Sequence, residues 1–277
     1  MPISMIEKSV IRSGVCLLTM AFWFMAQSVS FAGEPGYKAV RVQDGGTVRG
    51  NVRVIGTASD ITVPTGKDDK ICGATVSLAK LTTGRNGGVK NAVVFIKEIR
   101  TGKAFNGAGR YLLDQRGCKY NPHVMVLPFG APLEIVNSDP VLHNVHVSEL
   151  GASRMSILNI AQPIRGQRTT IPASQIRKPG FLVATCDAGH PWMNAYIVVA
   201  EHPYYAITDA DGNYTINDIP PGEYRLAMWH EGVRVVRVDT DRGRTVRYEY
   251  EEPYLSESQV VIQAGRSSRV NFDLRLR

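Results

Sequence analysis

At 277 residues the chain is long enough for one large domain or two ordinary ones. Its formal charge of +7 is carried by scattered basic residues, the densest cluster lying between 234 and 247. There is no dense Lys/Arg run and no nucleic-acid motif, which argues against a nucleic-acid partner and for a solvated basic surface, with steering toward an acidic partner as a weaker consequence.

The first 32 residues read as an export signal rather than structure. Lys8 and Arg12 form a basic leader, residues 15–25 are almost wholly apolar, and Ser30-Phe31-Ala32 fits a small-x-small cleavage site before Gly33. The apolar run is short for a membrane span, so contact with a membrane is expected only through this signal, with an uncleaved anchor as the alternative. Cys16 precedes most of the run and is badly placed for lipidation. An exported protein of the periplasm or cell surface follows.

From Tyr37 the chain reads as strands. Residues 40–42 and 47–54 alternate apolar and polar side chains around a Gly45-Gly46 turn. Residues 57–70 are polar and read as a loop, with further strands at 74–78 and 92–96 joined through 84–88. Two more are expected between 118 and 136, followed by 179–185 and 195–200, and only 172–176 could make a helical turn. Glu201-His202-Pro203 reads as a boundary, since proline ends a ladder. Beyond it, Asp-Gly and Pro-Gly turns separate short strands, and 260–262 and 270–274 complete an all-β unit.

The chemistry concentrates in Cys186-Asp187-Ala188-Gly189-His190-Pro191-Trp192-Met193. A thiolate, an imidazole and a thioether on one short loop are two strong ligands and one weak one for a soft transition metal. Upstream, the stretch 137–146 adds a second imidazole at His143, followed by Asn144. Two His and one Cys with a long axial Met is the ligand set of a blue-copper site.

On these residues the chain resembles a cupredoxin of the plastocyanin or amicyanin kind. In that family the first His precedes an Asn, and the other ligands lie on the loop joining the last two strands. The loop here, Cys-x3-His-x2-Met, is one residue longer between Cys and His than is usual there. The same spacing is similar to the second half of the binuclear copper loop of cytochrome oxidase, but the further Cys that loop needs is replaced by Leu182. The resemblance therefore implies one type 1-like copper ion held by His143, Cys186, His190 and Met193, with Asp139 and Asn144 hydrogen-bonding around the ligands.

Three cysteines remain beyond the leader, and the odd count leaves one thiol for another task. With Cys186 given to the metal, the economical pairing is Cys72 with Cys118; a bond from Cys186 to either would leave no thiolate ligand. His146, three residues beyond His143 on a strand, should face the other way. His123 reads as packing, and Trp192 as either a docking rim or a lid against water.

The pattern Thr208-Asp209-x-x-Gly212-x-Tyr214, then Pro220-Pro221-Gly222-x-Tyr224-x-Leu226, resembles the carboxypeptidase-regulatory-like family of transthyretin-like sandwiches. The expectation is an all-β protein, with a cupredoxin-like Greek-key sandwich over 37–201 and a smaller β-sandwich over 202–277. The chain lacks His-Glu-x-x-His, Cys-x-x-Cys-His and Gly-x-Ser-x-Gly motifs and is not expected to be an enzyme. Electron transfer to a redox protein partner is the implied role, with copper handling as a variant. The alternative is a glycan- or protein-binding surface module, with Tyr204, Tyr205, Tyr248, Tyr250 and Tyr254 as an aromatic platform.

Overall fold

The computed structural model describes residues 36–106, 109–151 and 154–277. The export signal expected over 1–32 lies outside the described residues. Within them the chain is all-β, built as two sandwiches.

The first sandwich has a five-stranded sheet in the order Ser156–Gln162, His143–Glu149, Gly180–Thr185, Asn194–Ala200, Val124–Pro128. Opposite it lie Arg168–Ile171, Leu133–Asn137, Leu112–Gln115 and Tyr120–Asn121. Period two decides what each strand buries. Ala195, Ile197 and Val199 enter the core between these sheets with Leu133, Ile135, Val145 and Val147. Tyr196 and Val198, pointing the other way, are buried as well. A strand covered on both faces needs an unbroken apolar run, which is why 195–200 shows no alternation.

The second sandwich pairs Tyr205–Ile207, Val93–Lys97, Gly222–His230 and Tyr254–Ile262 in one sheet. The other holds Asn213–Ile219 and Gly46–Ile55, the latter followed in parallel by Ser267–Arg269 and then Phe272–Arg275. Val48, Val52, Val94, Ile96, Leu226 and Met228 form its core. A third cluster, Val93, Trp229, Val124, Tyr196 and Val198, seals the outer faces of the two sandwiches together.

This pairing divides the chain differently from a boundary at 201/202. Strands Gly46–Ile55 and Val93–Lys97, expected in the first domain, hydrogen-bond with strands beyond residue 204. Their alternation would serve either core; the partner is chosen by which apolar faces fit in space. Two excursions return from the second sandwich to the first. One is the ribbon of Thr62–Pro64, in the stretch 57–70 expected to be loop, with the expected strand at Thr75–Ser77, and the helical turn Asp69–Cys72 between them. Val63, Val76 and Leu78 pack it onto the first core. The other is the hairpin Val235–Asp241 with Arg244–Tyr250, whose Val235 and Tyr248 pack there too. The helical turn expected near 172–176 is a 3₁₀ turn at Ala173–Gln175.

Gly50 lies where Gly46–Ile55 passes from one parallel partner to the next. A Cβ there would stand 1.6 Å from the Val270 carbonyl oxygen. Gly50→Ala is expected to cost about 1–3 kcal/mol through forced separation of the strands, read as a lowered urea midpoint at unchanged slope.

Candidate metal centre

Two elements converge at one end of the first sandwich. His143 opens the strand His143–Glu149, and Cys186 follows the strand Gly180–Thr185 that pairs beside it. The ligand loop then turns through Gly189, whose φ of +85° is the left-handed region that suits glycine. A Cβ there would also meet the Lys67 side chain, with Cε at 2.9 Å, so that side chain would have to shift. Met193 N–H donates to the His190 carbonyl at 3.0 Å and closes the turn.

Cys186 Sγ lies 4.0 Å from His143 Nδ1 and 3.7 Å from His190 Nδ1. Donor atoms of all three residues fall within 4.8 Å of one another, and all three are buried. First-row metal bonds of about 2.3 Å to sulfur and about 2.0 Å to nitrogen, opened to a trigonal angle, separate such donors by about 3.7 Å. The observed spacings lie at and slightly above that value, so the donor set fits one small ion. Met193 is 2 % exposed and shares the core cluster of Cys186 and Trp192.

Each imidazole is held from behind by a carboxylate. His143 Nε2–H donates to Asp139 Oδ2 at 2.9 Å, and His190 Nε2–H donates to Asp68 Oδ2 at 3.1 Å. Both rings therefore carry their proton on Nε2 and turn a free Nδ1 lone pair toward the sulfur, the orientation a metal ligand needs. Asp139 also accepts Gly117 N–H at 2.8 Å and Cys118 N–H at 2.9 Å. Burial pushes its carboxyl up, but the N–H groups of Cys118, His143 and Gly117 outweigh that and hold it below the usual range.

Burial drives the His190 pKa down to about 4, helped by nearby His143 and Lys67 and opposed by Asp68. The ring is neutral at pH 7 and free to coordinate. Burial raises the Cys186 thiol, while N–H groups of Asn144 and Ala188 pull it down. Asn144 N–H donates to Cys186 Sγ at 3.3 Å, and Asn144 Oδ1 accepts Asp187 N–H at 3.3 Å. Asn144 thus laces the two ligand segments together. A metal would displace the thiol proton and bind the thiolate.

Cys72 and Cys118 form a disulfide and Cys186 is free. His146 points away and pairs with Asp187 at 2.8 Å, as strand alternation requires. Trp192 is 7 % exposed and donates to the Cys118 carbonyl at 3.1 Å, so it is an inner wall rather than a docking rim. The five tyrosines form no common exposed face. Tyr204 and Tyr254 are buried, Tyr205 stacks on Phe95, Tyr248 packs on the first core, and Tyr250 Oη donates to the Leu78 carbonyl at 3.5 Å.

Asp68 was not singled out by its sequence. It sits in a polar stretch beside Lys67 and Asp69 that looks like any solvated loop.

Residues 180–275 match the carboxypeptidase regulatory-like domain. This regulatory-like segment is about a third of the chain, and its first strands lie in the five-stranded sheet of the first sandwich. No curated protein sequence matches the chain. Solved structures similar to it include an amicyanin, a purple cupredoxin and a copper-containing nitrite reductase. A copper(I) amicyanin variant is 18 % identical over 39 % of this chain and 98 % of its own, with a TM-score of 0.28. The purple cupredoxin of Nitrosopumilus maritimus is 19 % identical over 32 % of this chain and 99 % of its own, TM-score 0.26. The copper-containing nitrite reductase of Thermus scotoductus SA-01 is 24 % identical over 33 % of this chain, TM-score 0.27. This chain spans 22 % of that reductase.

Proposed function

We propose that the protein is an exported mononuclear copper protein that passes single electrons between redox partners and is not itself an enzyme. The observation that carries this reading is the thiol of Cys186 facing the Nδ1 atoms of two buried imidazoles at 3.7 and 4.0 Å. His143, Cys186 and His190 would hold the ion, with Met193 as the weak fourth ligand. Bound copper would supply a one-electron couple.

The residues around the site suit that task. Asp139 and Asp68 fix the rings before any ion arrives, and Trp192, Met193 and the first core keep water away. Ligands held this firmly move little between oxidation states. The three donors are themselves buried, with Met193 and Trp192 buried in the same core cluster as Cys186. The disulfide supports export to an oxidising compartment.

The test is metal content and colour. The copper-loaded protein is expected to carry one ion per chain and to show an intense visible band on oxidation, lost in Cys186→Ala. A copper-loaded protein that stays colourless under oxidant, or a metal content unchanged in a Cys186→Ala, His190→Ala double variant, would overturn the proposal.

A further inference from the structure

We infer that Asp68 is a positioning residue for this site: its carboxylate fixes the tautomer and orientation of His190 and lends negative charge to the ring. The inference rests on the copper reading of the same site. Its geometry does not.

His190 is 0 % exposed, and its Nε2 edge faces Asp68. What covers that edge is the excursion from the second sandwich. Asp68 takes a left-handed φ of 55° just before the helical turn Asp69–Cys72 and places Oδ2 3.1 Å from His190 Nε2. Three ties hold it there. Ile71 and Cys72 N–H groups donate to the Asp68 carbonyl at 2.9 and 2.8 Å. Thr65 closes the base of the excursion by donating its hydroxyl to the Gly73 carbonyl at 2.7 Å. Cys72 is bonded to Cys118, and a His190 ring nitrogen lies within 4.8 Å of both sulfurs.

The same cross-link reaches the other imidazole. Cys118 N–H donates to Asp139, which accepts from His143. The two carboxylates that hold the two rings are therefore joined through one disulfide. Lys67, whose Nζ lies 3.3 Å from Asp68 Oδ2, shares the charge but cannot take over the acceptor role, because an ammonium has only donors. A carboxylate against the outer nitrogen of a ligand makes the ring a stronger donor and favours the more oxidised state of a bound ion.

Two readouts separate this from a purely structural role. The first needs no metal: imidazole nitrogen–proton correlation spectra of the 15N-labelled, metal-free chain. Wild type is expected to show His190 locked as the Nε2–H tautomer, Asp68→Ala to show a mixture, and Asp68→Asn, whose carbonyl still accepts, to stay locked. The second is the reduction potential of the copper-loaded protein. Asp68→Asn is expected to shift the oxidised-to-reduced ratio about tenfold toward the reduced form, about 59 mV upward for a one-electron couple. Asp68→Glu should restore part of it. A locked tautomer in Asp68→Ala, or an unchanged potential in Asp68→Asn, would overturn the role of Asp68 and leave the copper reading intact. If wild type binds no copper, that reading falls, and the tautomer spectra still decide whether Asp68 positions the ring.

Discussion

Removing the Cys72–Cys118 disulfide with Cys72→Ala and Cys118→Ala together is expected to lower stability by about 4 kcal/mol and to disorder the cover of the metal centre. The bond closes a loop across 46 residues of sequence, and the loss of that constraint from the unfolded chain accounts for about 4 kcal/mol at room temperature. Substituting both cysteines together avoids leaving a new thiol beside Cys186, where it could form the wrong bond. Cys118 is buried in the first core, so its truncation adds a small cavity term. Guanidinium denaturation measures the total. Hydrogen exchange should rise first at residues 65–73, which only the ribbon and its hydrogen bonds would then hold. A loss below about 1 kcal/mol would mean that the ribbon alone fixes the excursion.

The second large effect belongs to Glu231, where the two sandwiches meet. Its carboxylate is 1 % exposed and pairs with His123 Nε2, whose Nδ1 lies 3.1 Å from the Asn194 carbonyl oxygen. Lys80 donates to the Asn194 side chain, and burial lowers its pKa against the pull of Glu231. Asn194 follows Met193 directly, so these charges brace the exit of the ligand loop. Glu231→Ala would remove the counter-charge facing Lys80 and the acceptor of His123, a change expected to cost about 3–5 kcal/mol.

The pH dependence of that contribution has a definite sign. Burial pushes the Glu231 carboxyl up, but His123 and Lys80 overcome it, so its folded pKa lies below the ordinary value. The folded state then binds fewer protons than the unfolded one. Its stabilisation is complete above the ordinary carboxyl range, about pH 4.3, and is lost as pH falls from there through the lower folded pKa. Glu231→Gln should flatten the acid limb of the stability curve while leaving its slope near neutrality unchanged. An acid limb identical to wild type would contradict the assignment.

Much of this architecture could be read from residue order alone. The alternation in 47–54 and the apolar run 195–200 mark strands because period two and two-sided burial leave different patterns. The ligand loop was legible because Cys, His and Met rarely fall so close together without a shared task. Asn144 and Asp139 were legible through their place beside His143. Two things were not. Val48, Val52, Val94 and Ile96 alternate correctly for either core, and only packing in space assigns them to the second. Asp68 gave no signal, because a carboxylate in a polar stretch gains its meaning from a disulfide 4 residues on and a histidine 122 residues away.

X-ray absorption at the copper edge of the loaded protein tests the central claim most directly, since it counts the atoms bound to the ion. One sulfur at short range and two imidazole nitrogens are predicted, with the sulfur lost in Cys186→Ala. A shell of nitrogen and oxygen alone in the wild-type protein would contradict the account.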